Sequence, residues 1–434
     1  MSSQVAVAEK QGVTPRLPAL AGAGVMSAAM LATGVLAYAF HVLAARSLGP
    51  TLYGQIAVMW AALFLVAVVV FRPLEQTLAR AISDRIARGE ETRTVVRSVL
   101  QIFVGVVLAL SLLAIPAWVP ITDNLFDGND AMTALLVGGI AAYGVSYVIR
   151  GLLGGVSWFR GYALLLVMDG VGRMVLAAPL VFVASPEVAA VAILGAGLIG
   201  AVAPLFRGLG RLVRLLEHRA HEEPFHVGAA LAFAGPAGVM AAADQVFLNG
   251  GPLLVMAGGG DSKEAGIVFA ATMLIRVPGF LFQGLTAAML PNFTRLNAAD
   301  AAGTLERAVL RLAAILIGIG IGLSLLALLI GPQTMELLYG SGYDVARADL
   351  ALLALGVGCY LASGTYSQGL LALDSGRSAA LAWSAGALLF VALYAVLPGD
   401  ALARISLGFL LASVVNVLLL AVALRLRVAR ATSR

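Results

Sequence analysis

Charged side chains stand inside, or at the ends of, otherwise apolar stretches: Asp169, Arg173, Asp244 and Arg276 inside, Arg72, Glu75 and Arg150 at inner ends, and Arg46 at the outer end of the first. A charge at the centre of a membrane-spanning helix costs about 2.5–3.5 kcal/mol on insertion scales, so it faces a cavity or a partner. Asp169 and Arg173 are four residues apart, which puts them on one helix face and predicts a pair that fixes helix register. Arg276 has no charged partner in its own stretch, and Asp244 is the nearest acid by expected depth. Arginine grips a phosphate or pyrophosphate bidentately, and a site away from bulk water strengthens that attraction. Two chemistries follow. Arg276, joined by Arg72, Arg150 and Arg173, is expected to hold an anionic substrate. Asp244, Asp169 and Glu75 are expected either to couple an ion or to pair structurally.

Other patterns are weaker as chemistry. Gly195–Gly200 reads GAGLIG, with Glu217 further on, and matches the G-x-G-x-x-G turn. That turn needs a strand in a soluble sheet, whereas this one sits in an apolar run whose glycines suit helix packing. His218, His221 and His226 have spacings that could offer metal ligands, but they belong to a polar linker and read as solvated. There is no H-E-x-x-H, no P-loop and no G-x-S-x-G. No catalytic residue, metal or cofactor is therefore expected. A membrane enzyme would carry its acids and arginines on an extended outer loop, and the stretch with Glu336, Asp344, Arg347 and Asp349 is short.

The elements that position these residues are apolar helices. Mean hydropathy is +0.96, with 61% hydrophobic and 12% charged residues. Runs of this kind are long enough to cross about 30 Å of hydrocarbon, and in lipid only helices satisfy the backbone. Twelve spans are predicted, starting near residues 20, 51, 97, 131, 163, 187, 228, 266, 309, 349, 378 and 402. The chain is also written twice. AGVMSAA at Ala23–Ala29 returns as AGVMAAA at Ala237–Ala243, and Arg93 and Arg97 return as Arg307 and Arg311. ALLVGGIAAYGVSYVIRGLL, from Ala134, is echoed by ALLALGVGCYLASGTYSQGL, from Ala351. Each copy holds six spans, an even number, so both copies enter the membrane in the same direction. The expected fold is an all-α polytopic membrane protein of two parallel six-helix lobes, a layout that places a site near the midplane between the lobes.

The predicted boundaries are an N-terminal tail over 1–18, a first lobe over 19–207, a linker over 208–227, a second lobe over 228–425 and a tail over 426–434. With the N-terminus inside, 22 basic residues fall on the cytoplasmic side and four outside, the bias that orients multi-pass proteins. The net charge of +5 is thus a topology signal, and nucleic acid is not an expected partner. The first span reads as an uncleaved signal anchor. Cys359 is alone, which excludes an internal disulfide. The inner loop Arg72–Arg97 has Ile82 and Ile86 among charges at helical spacing and is expected to lie on the membrane surface, as is its counterpart Thr294–Arg311. Arg80, Arg85 and Arg88 in it read as topology and headgroup charges. Gly235-Pro236 and Pro278-Gly279 mark expected kinks.

The stretch HVLAARSLGPTLYGQIAVMWAALFLV, His41–Val66, followed by LAR at Leu78–Arg80, resembles the polysaccharide biosynthesis, or Wzx-type, flippases. These belong to the multidrug/oligosaccharidyl-lipid/polysaccharide exporter superfamily, and the signature covers Ala37 to Arg97. The resemblance implies a V-shaped, MATE-like two-lobe transporter that is not an enzyme. It implies a polyprenyl-pyrophosphate-linked glycan as cargo, flipped between leaflets by alternating access, with Arg276 as the cavity arginine. Membrane lipids and other glycan-assembly proteins are the implied partners, and the plasma membrane, with both termini cytoplasmic, the implied place. The alternative is a cation-coupled multidrug or metabolite exporter of the same superfamily, for which Asp169 and Asp244 are the deep titratable acids.

Overall fold

The computed structural model describes residues 17–216, 227–276, 279 and 302–432, and these are helical with short connections. The first helix, Leu17–Arg88, is broken at Gly49, whose φ of 70° lies in the left-handed region. Glycine takes that conformation at no steric cost, and Pro50 lacks the N–H that the first turn of the next helix leaves free anyway. Residues 17–48 form α1 and residues 50–88 form α2. Then come α3 (Arg93–Leu125), α4 (Asp130–Gly155), α5 (Phe159–Ala177, extended by a 3₁₀ turn Ala178–Val181) and α6 (Pro186–Leu216). The second half supplies α7 (Val227–Ala257), α8 (Ser262–Ile275), α9 (Ala302–Tyr339), α10 (Arg347–Ala372), α11 (Gly376–Val396) and α12 (Ala401–Thr432). Asn129 caps α4 through the Ala131 amide at 3.1 Å, and Asp261 caps α8 through the Glu264 amide at 2.8 Å.

Ten of these segments are long and apolar enough to cross a membrane when α1 and α2 count as one and the 14-residue α8 is left out. Splitting the first and adding α8 gives the twelve spans of the sequence pattern, so the chain is a multi-pass membrane protein. The repeat is visible in the packing. In the first half α6 lies against α4 and α5; in the second, α12 lies against α10 and α11. Helices α3 and α9, equivalent in the two copies, are the least buried and present Leu108, Leu112 and Ile115, and Leu325 and Leu329, outward. The lobes meet where α1 and α2 pack on α7 and α8.

One end of the bundle, here called distal, gathers the turns at Gly49, Asp127, Asp261 and Gly342; the start of α1 and the end of α12 belong to the opposite, proximal end. At the proximal end α2 departs from expectation. It does not become a separate surface helix after Arg72 but continues to Arg88 and turns at Gly89. Its apolar face, Leu78 and Ile82, is buried against Val95 and Val99 of α3, Val148 and Leu152 of α4, Leu165 of α5 and Leu212 of α6. Protein, not lipid headgroups, covers it, and that burial is what straightens the segment. Arg80 faces Asp84 at 3.6 Å and Arg88 faces Glu90 at 2.7 Å, so local acids answer these bases. The expected histidine linker and Pro278 lie outside the described residues, as does 294–301 of the second expected surface segment.

Candidate functional site

Two buried layers hold the charges that the helices had to place in lipid. In the first lobe, Asp169 and Arg173 of α5 pair at 2.5 Å. Tyr143 of α4 donates to the other Asp169 oxygen at 3.1 Å and accepts from Arg173 Nη2 at 2.8 Å. The guanidinium lies 4.9 Å from the Trp60 ring centre and 5.9 Å from that of Phe40. All three members of this triad are buried, with Arg173 only 2% exposed. A buried, ring-capped pair of this kind fixes helix register, although the Arg173 Nε has no hydrogen-bond partner among the described residues.

The second lobe answers with a different arrangement at the corresponding place. Tyr360 of α10 is the residue that the repeat aligns with Tyr143, and its hydroxyl donates to Asp244 of α7. No arginine completes that pair within ion-pair distance among the described residues. Arg276, at the end of α8, instead donates to Asn249 at 3.3 Å, and Asn249 donates to Gln245 at 2.7 Å. Asp244, Tyr360 and Arg276 are each only half-buried. They also share a depth. Asp244 is 13 residues from the distal end of α7, Tyr360 13 from that of α10 and Arg276 14 from that of α8. At 1.5 Å per residue each is about 20 Å in, near the middle of a bilayer core. An acid and a base, both accessible and not bonded to each other, stand at the midplane.

A further group of the expected residues lies at the proximal mouth of the first lobe. Glu75 accepts from the Tyr162 hydroxyl at 2.6 Å. Arg150 is half-buried with its guanidinium 4.9 Å from the Tyr147 ring, and Arg72 is exposed. Of the expected site residues, the structure therefore joins Arg276 with Asp244, sets Arg72, Glu75 and Arg150 at one mouth, and seals Asp169 and Arg173 into a core. Sequence reasoning passed over Tyr143, Tyr162, Asn249 and Tyr360. For Tyr143 and Tyr360 the available signal was the tyrosine shared at the tenth position of the repeated motif.

At the distal end the lobes touch. A Cβ on Gly54 would collide with the Ser262 carbonyl, and one on Gly266 with that of Pro50. Asp127 accepts from Ser262 at 2.7 Å and from Gln55 at 3.3 Å. Tyr343 donates to the Ala45 carbonyl at 3.0 Å and Arg46 to that of Leu337 at 2.5 Å. These contacts hold the two lobes together at the distal end.

Two lobes of six helices, joined at α1, α2, α7 and α8 and held together at one end, match solved transporters over nearly their whole length. The inward-facing structure of a multidrug resistance MATE family transporter of the MOP superfamily superposes with a TM-score of 0.71, covering 92% of this chain and 96% of that one at 16% identity. The chain has the MATE transporter fold. An outward-facing structure described in the same words gives 0.64 at 14% identity, over 95% and 96% of the two chains. By sequence, the chain is 28% identical over 335 residues, 74% of its length and 73% of theirs, to uncharacterized proteins of Mycobacterium bovis and Mycobacterium tuberculosis. No family model matches the chain.

Proposed function

We propose that this chain is an alternating-access transporter that flips a polyprenyl-pyrophosphate-linked glycan from the cytoplasmic to the outer leaflet of the plasma membrane, for cell-surface polysaccharide. The observation that carries the reading is Arg276, a half-buried cation at midplane depth, held among the described residues by one long hydrogen bond, to Asn249. A base so lightly bonded is ready to take a phosphate oxygen. Arg72 and Arg150 at the proximal mouth supply a first attraction for the same charge. In this reading the proximal mouth is cytoplasmic, as are both termini, and the glycan occupies the polar space between lobes while the prenyl tail stays in lipid. The motif from His41 to Arg80 and the MATE fold support it. Flipping requires that neither lobe arrangement hold the cargo much more tightly than the other, because a strong preference turns one state into a trap.

A second reading, cation-coupled export of a drug or metabolite, is favoured by Asp244. It is a half-buried carboxylate that accepts from the Tyr360 hydroxyl and has no base within ion-pair distance among the described residues, and so has capacity for a proton or a metal cation. The readings separate in proteoliposomes loaded with a fluorescent polyprenyl-pyrophosphate oligosaccharide. Protein-dependent flipping that Arg276→Gln abolishes and Asp244→Asn leaves in part supports the first. Ion-driven efflux of small cations that Asp244→Asn abolishes, with no flipping of several glycans, supports the second.

A further inference from the structure

His41 belongs to neither reading, and its surroundings are unusual. The ring lies in α1 with no exposed surface. Its Nδ1 meets the Tyr53 hydroxyl at 3.2 Å, and its Nε2 has no partner among the described residues. Around it stand Trp60, with ring centres 4.5 Å apart, Phe269 at 5.1 Å, Phe40 at 5.2 Å and Tyr53 at 6.1 Å, each with an edge toward a face. Phe40, Tyr53 and Trp60 come from the first lobe, whereas Phe269 comes from α8 of the second. The cage is therefore assembled by contact between the lobes, about 11 Å from the distal end of α1 at helical rise, under the Gly54–Ser262 contact.

The groups that could share or oppose a proton on this ring are few. Tyr53 faces it from α2, Arg173 from α5 and Arg276 from α8. Both charges are cations. An imidazolium here would be buried without a counter-ion or an acceptor for Nε2–H, an arrangement that proteins avoid by staying neutral. If α8 swings away with the second lobe, Phe269 and Arg276 leave with it. Nε2 then meets water, in which imidazole ordinarily titrates close to pH 6.5.

We infer that His41 is a proton-binding element of the distal gate: neutral while the lobes close over it, it takes up a proton at Nε2 when they part, so that acid favours the distal-open state. The inference rests on the alternating-access reading and adds what would bias it. Because the open form alone binds the proton, its population is linked to pH, and the proton and the opening reinforce each other. With an ordinary imidazole constant in the open form, the open-to-closed ratio rises about tenfold between about pH 8 and pH 5.5.

The test is electron–electron distance measurement in nanodiscs, with labels on the exposed distal positions Asn124→Cys and Asp344→Cys in a Cys359→Ala background. Two distances are expected, the longer gaining about tenfold over the shorter on acidification. In His41→Gln and His41→Phe the ratio should not move; the phenylalanine variant, which keeps the aromatic packing, decides if the glutamine variant does not fold. Two distances whose ratio ignores pH in the unmodified histidine protein overturn the inference, as does a pH response that survives in the variants. A single distance at every pH overturns alternating access itself, and this inference with it.

Discussion

Replacing Arg173 by methionine separates a structural cation from a functional one. The side chain removed is 2% exposed and sits 2.5 Å from Asp169, which is 5% exposed. What remains is a carboxylate sealed in the first lobe with one hydroxyl, that of Tyr143 at 3.1 Å, to bind it. Stranding one member of a buried pair costs about 3–5 kcal/mol. In a unit of roughly 200 residues each kcal/mol moves the midpoint by about 2–4 °C, so the apparent melting temperature should fall by about 6–20 °C. Methionine keeps most of the volume, so little of that is a cavity effect. Removing Asp169 as well, as leucine, takes away the stranded charge but leaves the Tyr143 hydroxyl without a partner, a residual cost of about 1–3 kcal/mol. Adding Tyr143→Phe should return most of the loss. The assay is intrinsic-fluorescence melting in one detergent at one heating rate, since membrane proteins unfold irreversibly and only rates compare. An Arg173→Met protein that melts with the parent but no longer transports would refute this argument and make Arg173 a substrate contact.

Two glycines give further checks. Gly54→Val adds carbon where the Ser262 carbonyl already sits, so distal closure should fail. Label distances between Asn124→Cys and Asp344→Cys should then show mainly the longer value at any pH, and a retained short distance would count against the role of that contact. In Gly358→Leu the new Cβ would lie 2.8 Å from the Gly320 Cα, prising α9 from α10. Overpacking at a backbone contact costs about 1–3 kcal/mol, a clear fall in melting temperature, whereas Gly105→Leu on the lipid side, with nothing within 4 Å, should leave it unchanged.

The fold was legible because lipid allows so little else. Span length and parity in the AGVMSAA and AGVMAAA copies prescribe two parallel lobes before any contact is known, and the helices found are those spans. The segment after Arg72 was misjudged because amphipathic periodicity reports that one face is apolar, not what covers it. Leu78 and Ile82 read the same toward lipid as toward Leu165 and Leu212. The site was half legible. Intramembrane charges announce themselves by their cost, so Arg276, Asp244, Asp169 and Arg173 stood out. Which of them face a cavity depends on side-chain direction and on neighbours from other helices, such as Tyr143 and Tyr360, and linear spacing carries neither. His41 was hidden inside a family-like motif, and its cage draws on Phe269, more than two hundred residues away.

The repeat also shows what the duplication has since forbidden. The positions equivalent to Asp169 and Arg173 are Gly386 and Phe390, and there the Phe247 and Phe390 rings stack with centres 5.8 Å apart. One ancestral slot is now filled by an ion pair in one copy and by aromatic rings in the other. The contact of His41 with Phe269 has no mirror image either, because Val255 and Gln55 occupy the corresponding places. A pair of identical six-helix units would form every contact twice across its axis; this chain forms these once. The halves have become a heterodimer in a single polypeptide, so two copies of the first lobe would bring two His41 rings to an interface that offers neither a Phe269.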